Sequence, residues 1–283
     1  MKIGITGANG MLGTALINKL HLKHKIYATS RSNGVKREQA EWDFFDLLDF
    51  ETLHSWLDGK NMDIIIHCAE ISDRKVVNDM GGRYKAKALD SIKYLICKCD
   101  YFIYLSSSVL YNPGTSERKN ENSEVDLTDN YCQIKSNAEE LVIQSKGIAL
   151  RLSNVYGEKM SKGNVISDIL SQIGSRVIFL KNCHAVRDFI HVKDVSSYIK
   201  EIALKKCFTG VLNIGTGTDI KIKDLALLAN DLSGFSDAEV ISKADYKLDS
   251  IVLDVDRLHE LCSFRPDHNL KSFLLTRIGN QKC

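Results

Sequence analysis

The sequence predicts an α/β fold in which a doubly wound parallel sheet carries a small C-terminal lobe. The chain begins with a short apolar segment, residues 2–6, that runs into a glycine-rich turn and then into apolar residues at helical spacing. Residues 63–68 contain three consecutive isoleucines, which is typical of a strand that is buried on both faces. Strand-like and helix-like segments then alternate as far as residue 152, and this alternation favours parallel βαβ units.

Each element follows from its own pattern of apolar residues. Strands are predicted at residues 2–6, 25–29, 42–45, 63–68, 101–105 and 148–152, and helices at residues 11–20, 50–57, 86–97 and 131–144. The pattern loosens after residue 153, and residues 186–201 and 211–214 are expected to return to the sheet. We therefore assign residues 1–153 and 186–216 to the main domain, and residues 154–185 and 217–283 to the lobe.

Composition excludes several classes of protein. The chain has 283 residues, of which 44% are hydrophobic and 26% charged, with a net charge of +2. This is the composition of a globular protein and not of a disordered one. The near-neutral charge offers no electrostatic attraction to nucleic acid or to an anionic membrane. No apolar run approaches the roughly 20 residues that span a bilayer.

The eight cysteines do not predict a metal site. None of them forms a Cys-x-x-Cys pair, and the ligand spacing of a zinc site is absent. A strand begins at once after Met1, so no signal peptide is expected. We expect a cytoplasmic protein with reduced thiols and no bound metal.

A glycine run predicts the first binding site. Gly7-Ala8-Asn9-Gly10-Met11-Leu12-Gly13 lies between the first predicted strand and helix. Glycines permit a tight turn and close approach of a ligand, and the helix N-terminus offers free N–H groups to a pyrophosphate. The context indicates a Rossmann-like dinucleotide-binding domain. Cofactor contacts are expected from Gly7, Asn9, Gly10, Met11, Leu12 and Gly13.

The end of the second strand indicates which dinucleotide is bound. An acidic residue there would bind the ribose hydroxyls of NAD, whereas this chain has Ser30-Arg31-Ser32. Hydroxyl groups and a guanidinium suit a 2′-phosphate, so NADP(H) is favoured. NAD(H) stays open, because Arg31 could equally be a solvated surface residue.

A tyrosine and a lysine form the second site. Tyr131 and Lys135 are four residues apart and therefore share one helix face. A phenol has a pKa near 10, and a neighbouring ammonium group favours its phenolate. Upstream, the strand at residues 101–105 ends in Ser106-Ser107-Ser108, where α/β sheets place their ligands. Together these residues predict acid/base chemistry at a carbonyl or alkoxide oxygen.

These motifs identify a resemblance that covers most of the chain. The sequence resembles the extended short-chain dehydrogenases/reductases of the nucleotide-sugar epimerase, dehydratase and reductase group. The matching segments, in family order, are the glycine run, Asp46-Leu47-Leu48-Asp49, His67-Cys68-Ala69, Leu105 to Tyr111, the Tyr131/Lys135 pair, Arg151 to Gly157, Arg187 to Val195 and Val211 to Gly215.

The resemblance implies a role for individual residues. Tyr131 would be the general acid/base, Lys135 its partner and Ser107 the catalytic hydroxyl. Tyr131 and Lys135 are also expected to contact the cofactor, and Lys135 can hold the nicotinamide ribose. Among the remaining positions, Asp46 and Leu47 would touch adenine, Ala69 would line the cofactor, and Ser108, Asn154 and Arg187 would bind a nucleotide-sugar substrate. The family also implies a homodimer.

The sequence departs from the family at several positions. Dehydratases of the group carry Asp-Glu where this chain has Ser108-Val109, so dehydration is not expected. The reductases that also epimerise carry a cysteine in place of Val109. Glu70 stands where the family usually has a second alanine, and residues 84–89 lack the family's asparagine.

Three functions remain open from the sequence. The first is reduction of the C4 keto group of an NDP-4-keto-6-deoxyhexose by NADPH, with Tyr131 as proton donor. The second is a 4-epimerase that retains NAD. The third is a non-catalytic, cofactor-sensing protein, although proteins of that kind usually lose the Tyr-Lys pair that this chain keeps. Fold alone does not decide among them.

Overall fold

A computed structural model describes residues 1–32, 34–35, 37–245 and 247–280. The strands are β1 (Lys2–Thr6), β2 (Lys25–Ser30), β3 (Glu41–Phe44), β4 (Ile64–His67), β5 (Phe102–Ser107), β6 (Ile148–Leu152), β7 (Asn154–Tyr156), β8 (Val177–Leu180), β9 (Val186–Arg187), β10 (Phe189–His191), β11 (Gly210–Ile214), β12 (Ile220–Lys221), β13 (Glu239–Ser242) and β14 (Ser250–Ile251). The helices are α1 (Met11–Leu20), α2 (Phe50–Leu57), α3 (Arg74–Ile96), α4 (Asn130–Gln144), α5 (Val165–Leu170), α6 (Val192–Lys205), α7 (Ile222–Leu232), α8 (Asp256–Leu261) and α9 (Leu270–Gly279).

Seven parallel strands form the main sheet in the order β11-β6-β5-β4-β1-β2-β3. The order reverses direction at β1, and this reversal is the feature that defines a doubly wound sheet. The carboxyl ends of β1, β4 and β5 therefore lie side by side. The predicted Rossmann-like α/β fold is confirmed.

The core lies on both faces of this sheet. Ile64 and Ile66 of β4 pack into one apolar cluster with α1 and α6, whereas Ile65 packs into another with α3 and α4. Each of the three isoleucines is fully buried. The consecutive apolar residues of β4 thus reflect burial on both sides, as the sequence predicts.

Aspartate side chains start three of the flanking helices. Asp49 accepts a hydrogen bond from the Glu51 amide at α2, Asp73 caps α3 and Asp129 caps α4. The cap at Asp73 starts α3 twelve residues before the predicted start at residue 86. Apolar periodicity does not reveal this first part of α3, because the helix is kinked at Gly81, where φ is 65°.

The C-terminal lobe has a third apolar cluster, built mainly from α5, α7, α9 and the β8–β13 pair. The expectation that residues 186–201 return to the main sheet is wrong for residues 186–191, whereas residues 192–201 belong to α6, which packs with α1 against that sheet. Strand β9 pairs with β12 and β14, and β10 pairs with β7. Between β9 and β10, the Asp188 carboxylate accepts hydrogen bonds from the amides of Thr216 and Gly217, which ties this segment to the end of β11. The other segment expected to return, residues 211–214, joins the main sheet as part of β11.

Seven cysteines are free thiols in the structure, whereas Cys283 lies outside the described residues. Within the described part of the chain, no helix has the length and apolar character needed to cross a membrane.

Candidate active site

Two glycines of the turn pack tightly against neighbouring backbone atoms. Gly7 has a φ of 61°, and a Cβ there would lie 2.8 Å from the Cys68 backbone. A Cβ on Gly13 would lie 2.5 Å from the Ala8 Cα. Gly10 sits at the N-cap of α1 without a side-chain capping hydrogen bond, and the first turn of α1 carries no acidic residue. This arrangement fits a dinucleotide pyrophosphate, which the free N–H groups of the helix would bind.

Replacing Gly13 with alanine should disrupt this turn. The new methyl group would overlap backbone atoms, which cannot move away as a flexible side chain can. We expect a loss of about 1–3 kcal/mol in unfolding free energy and at least a tenfold weaker binding of dinucleotide. Denaturant unfolding and fluorescence titration measure the two effects. Gly82→Ala is the matched control, since a Cβ at Gly82 meets open space. Equal behaviour of the two variants would contradict the close-packing role of Gly13.

Most of the predicted cofactor residues line one cavity of about 320 Å³ at the carboxyl ends of the strands. The predicted residues on its wall are Gly7, Asn9, Gly10, Ser30, Arg31, Ser32, Asp46, Leu47 and Ala69. Three other predicted residues lie elsewhere: Met11 lines a separate surface cavity, Leu12 packs against the core, and Gly13 packs on Ala8.

Arg37 lies near this cavity and was not among the cofactor residues predicted from the sequence. Its guanidinium donates a hydrogen bond of 2.7 Å to the Asn9 side chain and lies 5.6 Å from the Trp42 ring centroid. It therefore places a second positive charge beside the glycine turn. Arg37 lies in a polar loop without a periodic pattern, so nothing in the sequence pointed to it.

A second cavity, of about 330 Å³, holds the predicted catalytic residues Ser107, Tyr131 and Lys135. We name it the catalytic cavity, and we name the first one the cofactor cavity. Cys68, Glu70 and Ile71 line both cavities alike. An extended ligand that enters both cavities must therefore pass these residues. The arrangement suits a dinucleotide that reaches the catalytic residues with one end.

Lys135 is buried and already has polar partners. Its Nζ donates a hydrogen bond of 2.7 Å to the Leu105 carbonyl and forms an ion pair with the Glu70 carboxylate. The Lys135 Nζ also lies 5.9 Å from the Tyr131 ring centroid. Burial opposes the charged form of Lys135, but the Glu70 carboxylate together with the Tyr131 and Tyr84 hydroxyls raises the pKa of Lys135 above its usual value.

Asn78 is a second residue that the sequence did not reveal. Its side-chain oxygen accepts a 3.0 Å hydrogen bond from the Tyr131 amide, and its nitrogen donates one of 2.9 Å to Asp129. Asn78 thereby fixes the first turn of α4, which carries Tyr131. It lies on the first part of α3, before Gly81, a part that was not predicted as helix.

The three serines after β5 have different surroundings. Ser107 lines the catalytic cavity, and its hydroxyl accepts a 3.2 Å hydrogen bond from the Val109 amide. Ser106 donates a hydrogen bond to the Glu139 carboxylate. Ser108 is only 4% exposed and begins the short 3₁₀ turn Ser108–Leu110. The structure brings Ser107, and not Ser108, to the same cavity as Tyr131.

The surroundings of His67 indicate a structural role for its side chain. Its Nδ1 lies 2.8 Å from the Thr6 hydroxyl, and the side chain is buried. Burial lowers the pKa of His67 to about 4, so the imidazole is neutral at physiological pH.

The predicted substrate residues Asn154 and Arg187 line a third cavity, of about 730 Å³, between the main domain and the lobe. The Asn154 side chain donates a 3.0 Å hydrogen bond to the Asp188 carbonyl. Arg187 forms a 2.6 Å ion pair with Asp249 and also donates to the Asp249 carbonyl. An anionic substrate would therefore have to share the Arg187 guanidinium with Asp249.

Comparisons with known proteins agree with this architecture. The model of the NAD-dependent epimerase/dehydratase family matches residues 3–215. The chain is 26% identical to the dTDP-D-glucose 4,6-dehydratase of Dictyostelium discoideum, over 80% of this chain and 60% of that protein. It is 25% identical to the ADP-L-glycero-D-manno-heptose-6-epimerase of Brachyspira hyodysenteriae, over 85% of this chain and 84% of the relative.

A solved structure shows the same fold. The UDP-N-acetylglucosamine 4-epimerase of Methanobrevibacter ruminantium M1, in complex with UDP-N-acetylmuramic acid, superposes with a TM-score of 0.84 at 21% identity. The superposition covers 98% of this chain and 97% of that one. The match of the family model extends from β1 to the end of β11 and so includes the glycine turn, the strand that ends at Ser107, and the Tyr131/Lys135 pair. The chain therefore belongs to the NAD-dependent epimerase/dehydratase family.

Proposed function

We propose that this protein is an NADPH-dependent oxidoreductase that reduces the C4 keto group of an NDP-4-keto-6-deoxyhexose. One observation carries the proposal: the cavity that holds Ser107, Tyr131 and Lys135 shares a wall with the cavity lined by Ser30 and Arg31. A cofactor whose 2′-phosphate lies at Arg31 would thus extend toward the tyrosine.

The residues of the catalytic cavity have distinct tasks in this proposal. Tyr131 would donate its phenolic proton to the oxygen of the keto group, and Ser107 would hold that oxygen by a hydrogen bond. Lys135 would fix the position of Tyr131 through the shared helix face. Bound NADPH would supply the hydride. Val109, which also lines the cavity, has no group that can transfer a proton, so the proposal includes no dehydration.

Two arginines support the preference for NADPH. Arg31 lines the first cavity, and Arg37 lies beside the glycine turn. A 2′-phosphate would gain charge-assisted hydrogen bonds that NAD cannot make.

The Arg31→Ala variant tests this preference. We expect its affinity for NADPH to fall about tenfold, which corresponds to about 1.4 kcal/mol, while its affinity for NADH stays the same. Fluorescence titration of the reduced cofactors gives both values. The control Arg83→Ala removes an exposed charge from α3 and should change neither affinity. An equal loss for both cofactors would show that Arg31 does not read the 2′-phosphate.

A 4-epimerase with tightly bound NAD is the second candidate. The similarity to a solved 4-epimerase supports it. The two candidates differ in what the purified protein carries. Denaturing fresh protein and separating any released nicotinamide distinguishes them, because stoichiometric NAD would establish a retained cofactor and overturn the reductase.

The substrate is tested directly. Protein incubated with NADPH and a panel of NDP-4-keto-6-deoxyhexoses should consume NADPH with one of them and give the corresponding hydroxyl sugar. Failure with every member of the panel would overturn the proposed substrate class.

By the same family membership we propose a cytoplasmic homodimer, and a monomeric mass in light scattering would contradict the dimer.

A further inference from the structure

Glu70 occupies a position that the proposed function leaves unused. It lies three residues after the end of β4 and lines both the cofactor cavity and the catalytic cavity. Its side chain is only 9% exposed. The Glu70 carboxylate forms an ion pair with the Lys135 Nζ. The Tyr104 hydroxyl donates one hydrogen bond that is shared between the two Glu70 oxygens, at 2.9 and 3.0 Å. A buried carboxylate with two such partners has a fixed place beside the catalytic lysine.

We propose that Glu70 is a positioning residue that balances the charge of Lys135 and thereby keeps Tyr131 protonated as a proton donor. The inference rests on the proposed function in one respect, the assignment of Tyr131 as the group that donates the proton. It adds a task for the Glu70 carboxylate, which that function leaves without one.

The charges around Tyr131 and Lys135 show why Glu70 matters. The titratable and charged groups that face the pair are His67, Cys68 and Glu70 at the end of β4, Arg74 and Tyr84 on α3, Tyr104 on β5, Asp129, Cys132 and Glu139 at α4, and Arg151 on β6.

Five of these ten groups carry no charge at neutral pH. Burial lowers the pKa of His67 to about 4 and raises those of Cys68, Tyr84 and Cys132 to about 12. Burial, followed by the negative charge of Glu70, also raises the pKa of Tyr104.

The charged groups form separate pairs. Arg74 pairs with Asp129, and Arg151 pairs with Glu139 through two contacts. Among the facing groups of the described chain, Glu70 is therefore the one negative charge that balances Lys135. Without it, the ammonium group would act on Tyr131 uncompensated, and an ammonium group favours the phenolate.

The sign of the effect follows from this balance. Neutralising Glu70 removes the carboxylate partner of the Lys135 ammonium, and the charged form of this buried lysine then favours a phenolate at Tyr131 as its counter-charge. The tyrosinate of Tyr131 should then form at lower pH in the variant than in the parent. A proton donor with this change loses activity at lower pH than the parent.

Glu70→Gln provides the test, because glutamine keeps the shape and can still accept from Tyr104. The near-ultraviolet absorbance of tyrosinate is followed against pH in cofactor-free protein, and the same titration of variants carrying Tyr131→Phe is subtracted to isolate Tyr131. We expect the midpoint to move to lower pH in Glu70→Gln. Asp73→Asn is the matched control, since it removes a carboxylate three residues away, at the α3 cap, and retains a capping side chain. Its midpoint should equal that of the parent.

An unchanged midpoint in folded Glu70→Gln would overturn the proposal, even if the variant were less stable. If Glu70→Gln fails to fold, Glu70→Asp takes its place, since its shorter carboxylate lies farther from Lys135 and should shift the midpoint in the same direction by less. A midpoint at or above that of the parent would then overturn the proposal. The titration needs no substrate, so it stands apart from a failure of the proposed reduction. For an active enzyme, the fall of NADPH-dependent turnover at high pH should move by the same amount.

Discussion

The Tyr131→Phe variant should lose turnover by a factor of about 10²–10⁴, the usual contribution of a positioned acid, while it retains its affinity for dinucleotide. Only the hydroxyl group is removed. The ring of Tyr131, which is 8% exposed and packs in the cluster between α4 and β5, stays in place. Steady-state kinetics with the substrate found in the panel, together with a cofactor titration, measure both effects.

Tyr94→Phe is the control for this substitution. Tyr94 lies on α3, and its hydroxyl contacts His54 away from the catalytic cavity. We expect wild-type turnover from this control. Unchanged turnover in Tyr131→Phe would remove Tyr131 from the mechanism, and a parallel loss of cofactor binding would indicate a structural role instead.

The Glu139→Ala variant should lose about 3–5 kcal/mol of unfolding free energy, because it leaves a buried guanidinium without its partner. The Glu139 carboxylate accepts hydrogen bonds of 2.9 and 2.7 Å from Arg151, and it also accepts one from Ser106. The two side chains of the ion pair are 5% and 8% exposed. Burial opposes the charged form of Arg151, but Glu139 raises its pKa above the usual value, so the guanidinium keeps its charge. Urea unfolding measures the loss.

An exposed ion pair serves as the control for Glu139. Asp90 pairs with Lys93 on α3, where both side chains are more than half exposed. Asp90→Ala should cost less than about 1 kcal/mol. The double variant Glu139→Leu/Arg151→Met should recover part of the loss, since it removes both charges together. A loss from Glu139→Ala no larger than that from Asp90→Ala would contradict a buried, paired charge.

Local sequence patterns predicted the parts of this protein that depend on residues close together in the chain. The three isoleucines of β4 predicted a strand that is buried on both faces, and the structure confirms it. The glycine run predicted a turn between a strand and a helix, and the four-residue spacing of Tyr131 and Lys135 predicted a shared helix face. In each case one turn or one helical period fixes the geometry, so a short segment is sufficient.

The same patterns misjudged elements whose limits depend on a single residue or on a distant partner. The start of α3 is set by the Asp73 cap and hidden by the kink at Gly81. The destination of residues 186–191 is set by pairing with β7, β12 and β14, all of them short strands from other parts of the chain. Strands of two or three residues carry too few side chains to show a period of two.

The sequence by itself determined the fold class, the glycine turn, and the identity of the tyrosine and lysine on one helix face. Only the tertiary structure decided which groups surround them. The order of strands in the sheet brings Glu70 to Lys135, Asn78 to the Tyr131 amide and Arg37 to Asn9, and the packing of the lobe brings Asp249 to Arg187. Each of these contacts joins residues at least 28 positions apart in the chain, a separation across which no helical or strand period extends. A local pattern thus names the chemically active residues, whereas the charge that each of them meets depends on which distant segments the sheet places beside it.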